Sequence, residues 1–184
     1  MNLPNIQPSQ YFDYAEQELR MAIGNLEQMS VISQVSVSSR ARGIVRNAYY
    51  AAYHLTCAAL FLTGVEPKSH EGAQSMLAMH LVKPGHIGGR SSKILNNLMN
   101  ERHVADYKGN IPITDQDVQD LLHQSQPLIQ DLVRFAMGRY RNEPAQTLSV
   151  LEQDALAEAG VTWNSIAQSI VSNASQTARL GKTP

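Results

Sequence analysis

Apolar residues recur at α-helical spacing through most of this chain, and no useful length alternates apolar and polar residues as a β-strand does. Glycine, proline and capping residues divide the pattern into segments. We therefore expect an all-α fold, an antiparallel helical bundle of about five helices with a short helical C-terminal extension. The predicted helices are 9–29, 39–64 (with its start at Ser38 or Ser39), 70–81, 91–107 and 114–140.

The helix ends are predicted from local chemistry. Ser9 and Thr114 are suitable N-terminal caps, and Gly64 stands where a C-terminal cap belongs, with Pro67 just beyond. The Ser- and Val-rich stretch 30–38 should separate the first helix from the second. The turn 84–89 should separate the third from the fourth, and residues 108–110 the fourth from the fifth. Pro127 should kink the fifth helix.

The character of the chain changes after residues 143–144. We expect residues 1–143 to form the bundle and residues 144–184 an extension with two short helical segments, 148–159 and 163–178, separated by residues 160–162. The second segment places Trp163, Ile166 and Ile170 on one narrow apolar face. This extension could pack on its own bundle, dock onto a second subunit or partner, or be partly disordered.

Composition excludes several classes of protein. No apolar run approaches the roughly 20 residues of a membrane span, and the first ten residues lack a basic start and an apolar signal core. We therefore expect a cytoplasmic protein with no membrane association. Charged residues make up 17% of the chain, against about 25% in an average domain, and oligomerisation is one explanation. A net charge of −1 argues against a broadly basic nucleic-acid binder, but not against a local basic patch formed on dimerisation.

Metal and cofactor chemistry is not indicated. The single cysteine and the scattered histidines show none of the spacings typical of zinc ligands, and the glycines at 85–89 lack the Gly-Lys-Ser/Thr ending of a phosphate loop. We expect neither a metal nor a cofactor. Cys57 lies in mid-helix on a face that should be packed, which disfavours a nucleophilic role.

A first polar cluster lies on the second predicted helix. At 100° per residue, Arg46, Tyr49, Tyr50, Tyr53 and His54 fall within an arc of about 140°. Polar groups of this kind inside a core must have hydrogen-bond or ion-pair partners, or must serve in a functional site. The tyrosines could be core residues with satisfied hydroxyls and His54 a core histidine. The guanidinium of Arg46 needs an anion or solvent.

A second polar cluster occupies the end of the fourth predicted helix. Arg102 and Asp106 are four residues apart, which predicts an ion pair, and Tyr107 follows at the helix end. Asp106 is also the candidate carboxylate for Arg46. A nearby helix start carries Lys68 and His70, which would suit a bound phosphate.

Four linked motifs resemble those of the HEPN superfamily, specifically a small stand-alone prokaryotic branch. They are 46–54 (RNAYYAAYH), 64–72 (GVEPKSHEG), 82–85 (VKPG) and 101–107 (ERHVADY), and the resemblance covers about residues 38–140. It implies a helical bundle that dimerises. Many members are metal-independent ribonucleases that act as toxins or defence proteins, often beside a nucleotidyltransferase antitoxin, with a cleft built across the dimer.

The chain departs from the signature of those ribonucleases, an arginine followed after four to six residues by histidine. None of its six histidines has an arginine at that spacing, and Arg46 and His54 are eight positions apart. Asp106 and Tyr107 stand where the histidine of the Arg102 motif would be expected.

Two interpretations follow. In the first, the protein is an endoribonuclease of a toxin–antitoxin pair: Arg102 binds the scissile phosphate, His54 or His70 supplies acid–base chemistry, and Asp106 orients a partner. In the second, it is a non-catalytic module that binds a nucleotide, RNA or a nucleotidyltransferase. The resemblance also implies that Tyr107 could be adenylylated by an antitoxin. The candidate catalytic residues are Arg102, Asp106, His54 and Tyr107, and the candidate binding residues are Arg46, Tyr50, Lys68 and His70.

Overall fold

The computed structural model describes residues 8–35, 39–142 and 146–180, and no strand occurs in these ranges. The predicted all-α fold is confirmed. The helices are α1 (Pro8–Ser33), α2 (Arg40–Phe61), α3 (His70–Leu77), α4 (Ser91–Tyr107), α5 (Asp115–Tyr140), α6 (Val150–Ala157) and α7 (Ala159–Leu180), and a π-helical turn, Ala78–Val82, continues α3.

Local capping chemistry sets several boundaries where they were predicted. Gly64 adopts a positive φ of 76°, and the following Val65 N–H donates to the Leu60 carbonyl at 3.0 Å, which closes the end of α2. Helix α4 spans the predicted residues. At the start of α5, Thr114 and Asp117 form a reciprocal capping box. Pro127 lies inside α5, which is assigned as one continuous helix.

The first helix is longer than predicted. Residues 30–33 continue α1 to Ser33, because the Ser33 hydroxyl donates to the Ser30 carbonyl at 2.8 Å and Ile32 packs against the core. Serine therefore does not break the helix here. The part of the expected break at residues 36–38 lies outside the described residues.

The expected break at residues 160–162 is also wrong. Helix α6 ends at Ala157 and α7 begins at Ala159, so Gly160 lies in the first turn of α7. A Cβ at Gly160 would lie 3.0 Å from Cγ of Gln130 on α5. The glycine thus serves close helix packing rather than a loop.

Helix α2 is the centre of the bundle and packs against α1, α3, α4 and α5. Small side chains allow the close approach, since Ala48, Ala51, Ala52, Ala58 and Ala59 are fully buried. This central position brings the polar face of α2 against α3 and α4.

The C-terminal segment packs on the chain's own bundle. Helix α7 contacts α5 and α1, and fully buried Trp163 donates its indole N–H to the Leu122 carbonyl at 2.8 Å. Buried Glu16 of α1 accepts hydrogen bonds from the Tyr140 hydroxyl at 2.6 Å and from the Thr147 backbone N–H at 2.7 Å. Trp163, Ile166 and Ile170, which were predicted to share one apolar face, are therefore buried within the chain. The domain boundary at 143–144 stays a prediction.

None of the helices in the described ranges has the length and apolarity to cross a membrane.

Candidate functional site

The two polar motifs meet on one side of α2. We call the group the polar–aromatic cluster. It draws on α2, the start of α3 and the last turns of α4, and its members are Tyr49, Tyr50, Tyr53, His54, His70, Arg102, Asp106 and Tyr107. The rings contact one another closely, with the centroids of Tyr53 and His70 4.2 Å apart. Residues some fifty positions apart in sequence are thus joined into one site.

Arg102 lies among three tyrosine rings. Its Nη2 donates to the Tyr50 hydroxyl at 2.7 Å, and its Cζ lies 5.3 Å from the Tyr50 ring centroid, 5.8 Å from that of Tyr49 and 5.7 Å from that of Tyr107. Its side chain is 20% exposed. These contacts are cation–π in character and hold the guanidinium in one orientation.

The predicted ion pair on α4 is present. The Arg102 Nε lies 2.7 Å from Asp106 Oδ2, although the pair does not have hydrogen-bond geometry. Burial lowers the pKa of Arg102, but Tyr50 and Asp106 outweigh it and leave the pKa above its ordinary value. The guanidinium is therefore permanently charged.

His70 faces the cluster from the first position of α3. The Ser69 hydroxyl caps this helix by accepting from the Gly72 N–H at 2.9 Å, which fixes the His70 backbone. Nδ1 of His70 lies 2.6 Å from the Tyr49 hydroxyl. Burial lowers the pKa of His70, and the nearby positive charge of Arg102 lowers it further. The imidazole is therefore neutral at neutral pH.

Tyr49 and Tyr53 remain protonated under all ordinary conditions. Burial raises the pKa of both hydroxyls far above the ordinary value, and Arg102 only partly opposes this for Tyr49. Their roles are hydrogen bonding and packing, not proton transfer.

His54 lies at the inner edge of the cluster. It is only 8% exposed, and its Nδ1 lies 2.6 Å from Oε2 of Glu18 on α1. Glu18 was not predicted as a partner of His54, since nothing in the sequence pattern of α1 shows which helix its carboxylate faces. This pairing matches the expectation of a core histidine with a satisfied ring.

Arg46 does not pair with Asp106, contrary to the expectation. Arg46 is exposed, and its guanidinium makes no hydrogen bond or ion pair with a described residue. Asp106 instead pairs with Arg102 on its own helix, the nearer of the two cations. Arg46 and Asp106 still line a common cavity of about 350 Å³.

Lys68 is likewise exposed and makes no such contact within the described part of the chain. The structure thus brings together Tyr50, His70, Arg102, Asp106 and Tyr107 of the predicted site, places His54 beside them in the core, and leaves Arg46 and Lys68 at the surface.

Arg42 is a second residue that the sequence analysis missed. Its guanidinium donates to the carbonyls of Val104 at 3.1 Å, Ala105 at 2.9 Å and Lys108 at 3.1 Å, and also to those of Gly109 and Ile111. Of these, the Ala105 carbonyl lies in the last turn of α4, where a carbonyl has no partner within the helix. The Val104 and Lys108 carbonyls also accept the backbone N–H groups of Lys108 and Ile111. Arg42 therefore ties the segment carrying Arg102, Asp106 and Tyr107 to α2. The sequence feature that could have indicated this role is the presence of two arginines, Arg40 and Arg42, in the first turn of α2, where a positive charge is not favoured.

The cluster offers no metal site, since the described residues contain no group of three or more His, Cys, Asp or Glu side chains that could hold a metal ion. Cys57 is buried, and burial raises its pKa to about 12, so its thiol is no nucleophile at neutral pH. The chemistry at hand is a fixed cation beside a neutral imidazole, which suits an anionic ligand and proton transfer.

Comparison with known proteins identifies the family. The HEPN domain model matches residues 12–135, more than half of the chain. The chain therefore belongs to the HEPN domain family.

Two relatives belong to one named group. The chain is 30% identical over 124 residues to the UPF0332 protein glr0978 of Gloeobacter violaceus, covering 67% of this chain and 90% of that protein. It is 27% identical over 78 residues to the UPF0332 protein PH1297 of Pyrococcus horikoshii, covering 42% of this chain and 55% of that protein. The chain thus spans about half the length of the latter relative. No solved structure matches significantly.

Proposed function

We propose that the polar–aromatic cluster cleaves RNA without a metal ion, and that the protein is a toxin or defence protein of a toxin–antitoxin pair. The observation that carries this proposal is the placement of the Arg102 guanidinium and the neutral His70 imidazole around the Tyr49 and Tyr50 rings. When an RNA 2′-hydroxyl attacks the neighbouring phosphate, a base must accept its proton and a fixed cation must stabilise the charge on the phosphate.

Each residue has a chemical task in this proposal. In the tautomer with its proton on Nδ1, His70 donates to the Tyr49 hydroxyl oxygen and keeps the Nε2 lone pair free. Nε2 takes the proton of the 2′-hydroxyl while that oxygen forms a bond to phosphorus. The bond from phosphorus to the 5′-oxygen breaks, and water supplies its proton. The products are a 2′,3′-cyclic phosphate and a 5′-hydroxyl end.

Arg102 stabilises the charge that develops on the phosphoryl oxygens. Tyr50 and Asp106 engage Nη2 and Nε, while Nη1 makes no hydrogen bond to a described residue. The partners orient the guanidinium in advance, so little reorganisation is needed when charge develops. Of the two candidate histidines, His70 fits the acid–base role better, because His54 is buried and paired with Glu18.

The proposal includes a homodimer in which two clusters face a shared cleft. The low charged fraction of the chain, 17%, is in keeping with a surface partly covered by a second copy. A shared cleft would supply a second set of cations for the RNA backbone, which a single chain of net charge −1 does not offer broadly.

A nucleotidyltransferase antitoxin would act at Tyr107. This side chain is 66% exposed, at the last residue of α4, and its ring stands 5.7 Å from the Arg102 Cζ. A nucleotidyl group on its hydroxyl would place a phosphate beside Arg102 and compete with the RNA phosphate. Co-purification with a neighbouring nucleotidyltransferase, followed by mass measurement of the Tyr107 peptide, tests this part.

A specific observation favours a second function, a non-catalytic module that binds RNA, a nucleotide or a nucleotidyltransferase. Arg102 already has Tyr50 and Asp106 as partners, and such a polar network can serve to rigidify the bundle, although the Arg102 Nε makes no hydrogen bond. In that case Arg102→Ala would lower thermal stability or partner binding and leave RNA intact.

The deciding experiment incubates purified dimer with labelled RNA in the presence of a chelator. We expect cleavage by the wild type, loss of at least about a hundredfold in rate for His70→Ala and Arg102→Ala, and wild-type rates for Arg139→Ala, an exposed arginine on α5. Intact RNA with a folded wild-type dimer would overturn the ribonuclease proposal. Retained cleavage in folded His70→Ala would overturn the role of His70.

A further inference from the structure

A groove runs along the side of the bundle between α5 and α7. It has a volume of about 710 Å³, and no member of the polar–aromatic cluster lines it. On α5 its lining residues recur every three or four positions from Gln126 to Arg141, and those of the opposite wall do so from Ala157 to Asn164. The α5 wall is therefore one face of a helix, about 22 Å long. A groove of this form suits a further helix that lies along it.

Much of the groove is apolar. Buried Val133 and Met137 line its floor, and Val161 on the opposite wall is 67% exposed. Gly138 also lines it, and a Cβ built at this glycine would meet no atom within 4 Å. The space above this part of α5 is therefore open. Exposed apolar side chains beside open space mark a surface that another molecule can cover.

The charged side chains that line the groove are two arginines of α5, Arg134 and Arg141. The guanidinium of Arg141 makes no hydrogen bond or ion pair with a described residue. Arg134 is 76% exposed and pairs with Asp131 on its own helix at 3.0 Å, and such an exposed pair contributes little. Both cations are thus available to acidic groups. They are seven residues apart, about 10 Å along the axis, and a docked helix repeats its own surface at that interval.

The opposite rim carries the opposite charge. Asp154 stands three positions before Ala157, and Glu158 three positions before Val161, so each lies beside a residue that lines the groove. Both carboxylates are exposed and form no ion pair with a described residue. A polyanion would meet these two carboxylates, and a wholly basic segment would meet the arginines. The charge pattern therefore favours an occupant with acidic groups along one flank and basic groups along the other.

Most of the residues that line this groove lie outside the part of the chain that defines the family. The HEPN domain model ends at residue 135, and the last turn of α5 and the whole opposite wall come after it. The groove is therefore a feature that the C-terminal segment of this chain adds to the family fold.

We propose that the groove binds an amphipathic α-helix of a partner protein. Apolar residues of that helix, spaced three and four positions apart, rest on the apolar floor. Acidic residues on one flank pair with the two arginines of α5, and basic residues on the other flank face the two carboxylates of the opposite rim. The proposal does not rest on RNA cleavage, because the groove and the polar–aromatic cluster share no residue.

The test uses three labelled helical peptides of three heptads with the same apolar stripe. One carries Glu on one flank and Lys on the other, the second carries Glu on both flanks, and the third carries Lys on both. Fluorescence anisotropy with the full chain measures their affinities. We expect the mixed peptide to bind saturably and about tenfold tighter than the other two. Absence of saturable binding, or equal affinity for all three, would overturn the proposal, and tightest binding of the all-Glu peptide would overturn it in favour of a polyanion.

Gly138→Leu should block the groove and leave the fold intact. The new side chain enters open space, and leucine is a better helix former than glycine. We expect an unchanged or higher melting temperature and a loss of about tenfold or more in affinity for the mixed peptide. Gly24→Leu on α1 is the matched control, because a Cβ there also meets no atom within 4 Å. Wild-type affinity in Gly138→Leu, or an equal loss in Gly24→Leu, would contradict the proposal.

Reversal of charge tests the flanks. Arg134→Glu, Arg141→Glu should weaken the mixed peptide about tenfold and strengthen the all-Lys peptide, because both rims are then acidic. Arg90→Glu, Lys93→Glu makes the same change of charge at the exposed start of α4 and should alter neither affinity. Unchanged affinities in the folded Arg134, Arg141 variant would refute the role of the arginines and with it the proposal.

Sedimentation of the same glycine variants identifies a second copy of the chain as the alternative occupant. If a partner helix occupies the groove, Gly138→Leu keeps the oligomeric state of the wild type. A smaller assembly in Gly138→Leu, with Gly24→Leu unchanged, would overturn the partner helix in favour of a second copy.

Discussion

The hydroxyl of Tyr49 and Nδ1 of His70 lie 2.6 Å apart and join the central helix α2 to the first residue of α3. His70 is thereby held beside a buried, permanently protonated tyrosine and within the field of Arg102. The state of this imidazole can be measured directly, and it reports on the whole cluster.

The pKa of His70 should lie below the ordinary value of 6.5 in the wild type and should rise in Arg102→Ala. Burial and the positive charge of Arg102 both disfavour the imidazolium, and the substitution removes the second cause. Titration of the His70 ring protons by NMR measures the shift. In Arg139→Ala the pKa should stay at the wild-type value, and no rise in Arg102→Ala would refute the coupling.

The pH dependence of stability should contain a contribution from Glu16. Although burial opposes it, hydrogen bonds from Thr147 and Tyr140 hold the pKa of this carboxyl below 4.5 in the folded state. The carboxyl therefore stabilises the fold above its unfolded pKa, and this stabilisation is lost as the pH falls through the lower, folded pKa.

Glu16→Gln should cost about 1 to 3 kcal/mol of unfolding free energy at pH 7, with the difference from wild type shrinking below pH 4.5. Urea denaturation over a pH series measures this, and Glu27→Gln, on the exposed side of α1, is the control. A constant difference at all pH values would contradict the linkage.

Trp163 is the single tryptophan of the chain, so its fluorescence reports the docking of α7. Because the indole is fully buried, we expect blue-shifted emission that moves to longer wavelength on unfolding. Trp163→Ala should cost about 3 to 5 kcal/mol. Trp163→Phe loses mainly the bond to the Leu122 carbonyl and should cost less. Emission typical of exposed indole in the native protein would show that α7 is undocked in solution.

Arg42→Lys should loosen the end of α4 without unfolding the bundle. A lysine cannot replace the forked donors that reach the carbonyls of Val104, Ala105 and Lys108. Hydrogen exchange should speed up across residues 104–111, and the pKa of His70 should shift as Arg102 moves. Arg46→Ala, an exposed arginine one turn further along α2, should leave both unchanged. Unaltered exchange in Arg42→Lys would show that the carbonyl contacts do not hold this segment.

The parts of the fold that were predicted from sequence depend on nearby residues. The capping of α5 by Thr114 and the positive φ of Gly64 follow from chemistry within a few positions. The ion pair of Arg102 and Asp106 follows from helical spacing alone.

The contacts that were missed join residues far apart in the chain. The pairing of His54 with Glu18 and the reach of Arg42 to the end of α4 depend on how helices are rotated against each other. The wrong pairing of Arg46 with Asp106 has the same cause. Periodicity gives the faces of each helix, but the register between two helices is decided by packing across the core.

The five carbonyls held by Arg42 have a mechanical consequence. Because the Arg42 side chain of α2 donates hydrogen bonds both to the last turn of α4 and to the loop after it, α2 and the segment that carries Arg102 should move together. A ligand that displaced Arg102 would therefore also displace α2, which lies at the buried centre of the bundle. Ligand binding to the cluster should then change the rigidity of the whole bundle and not only that of its surface.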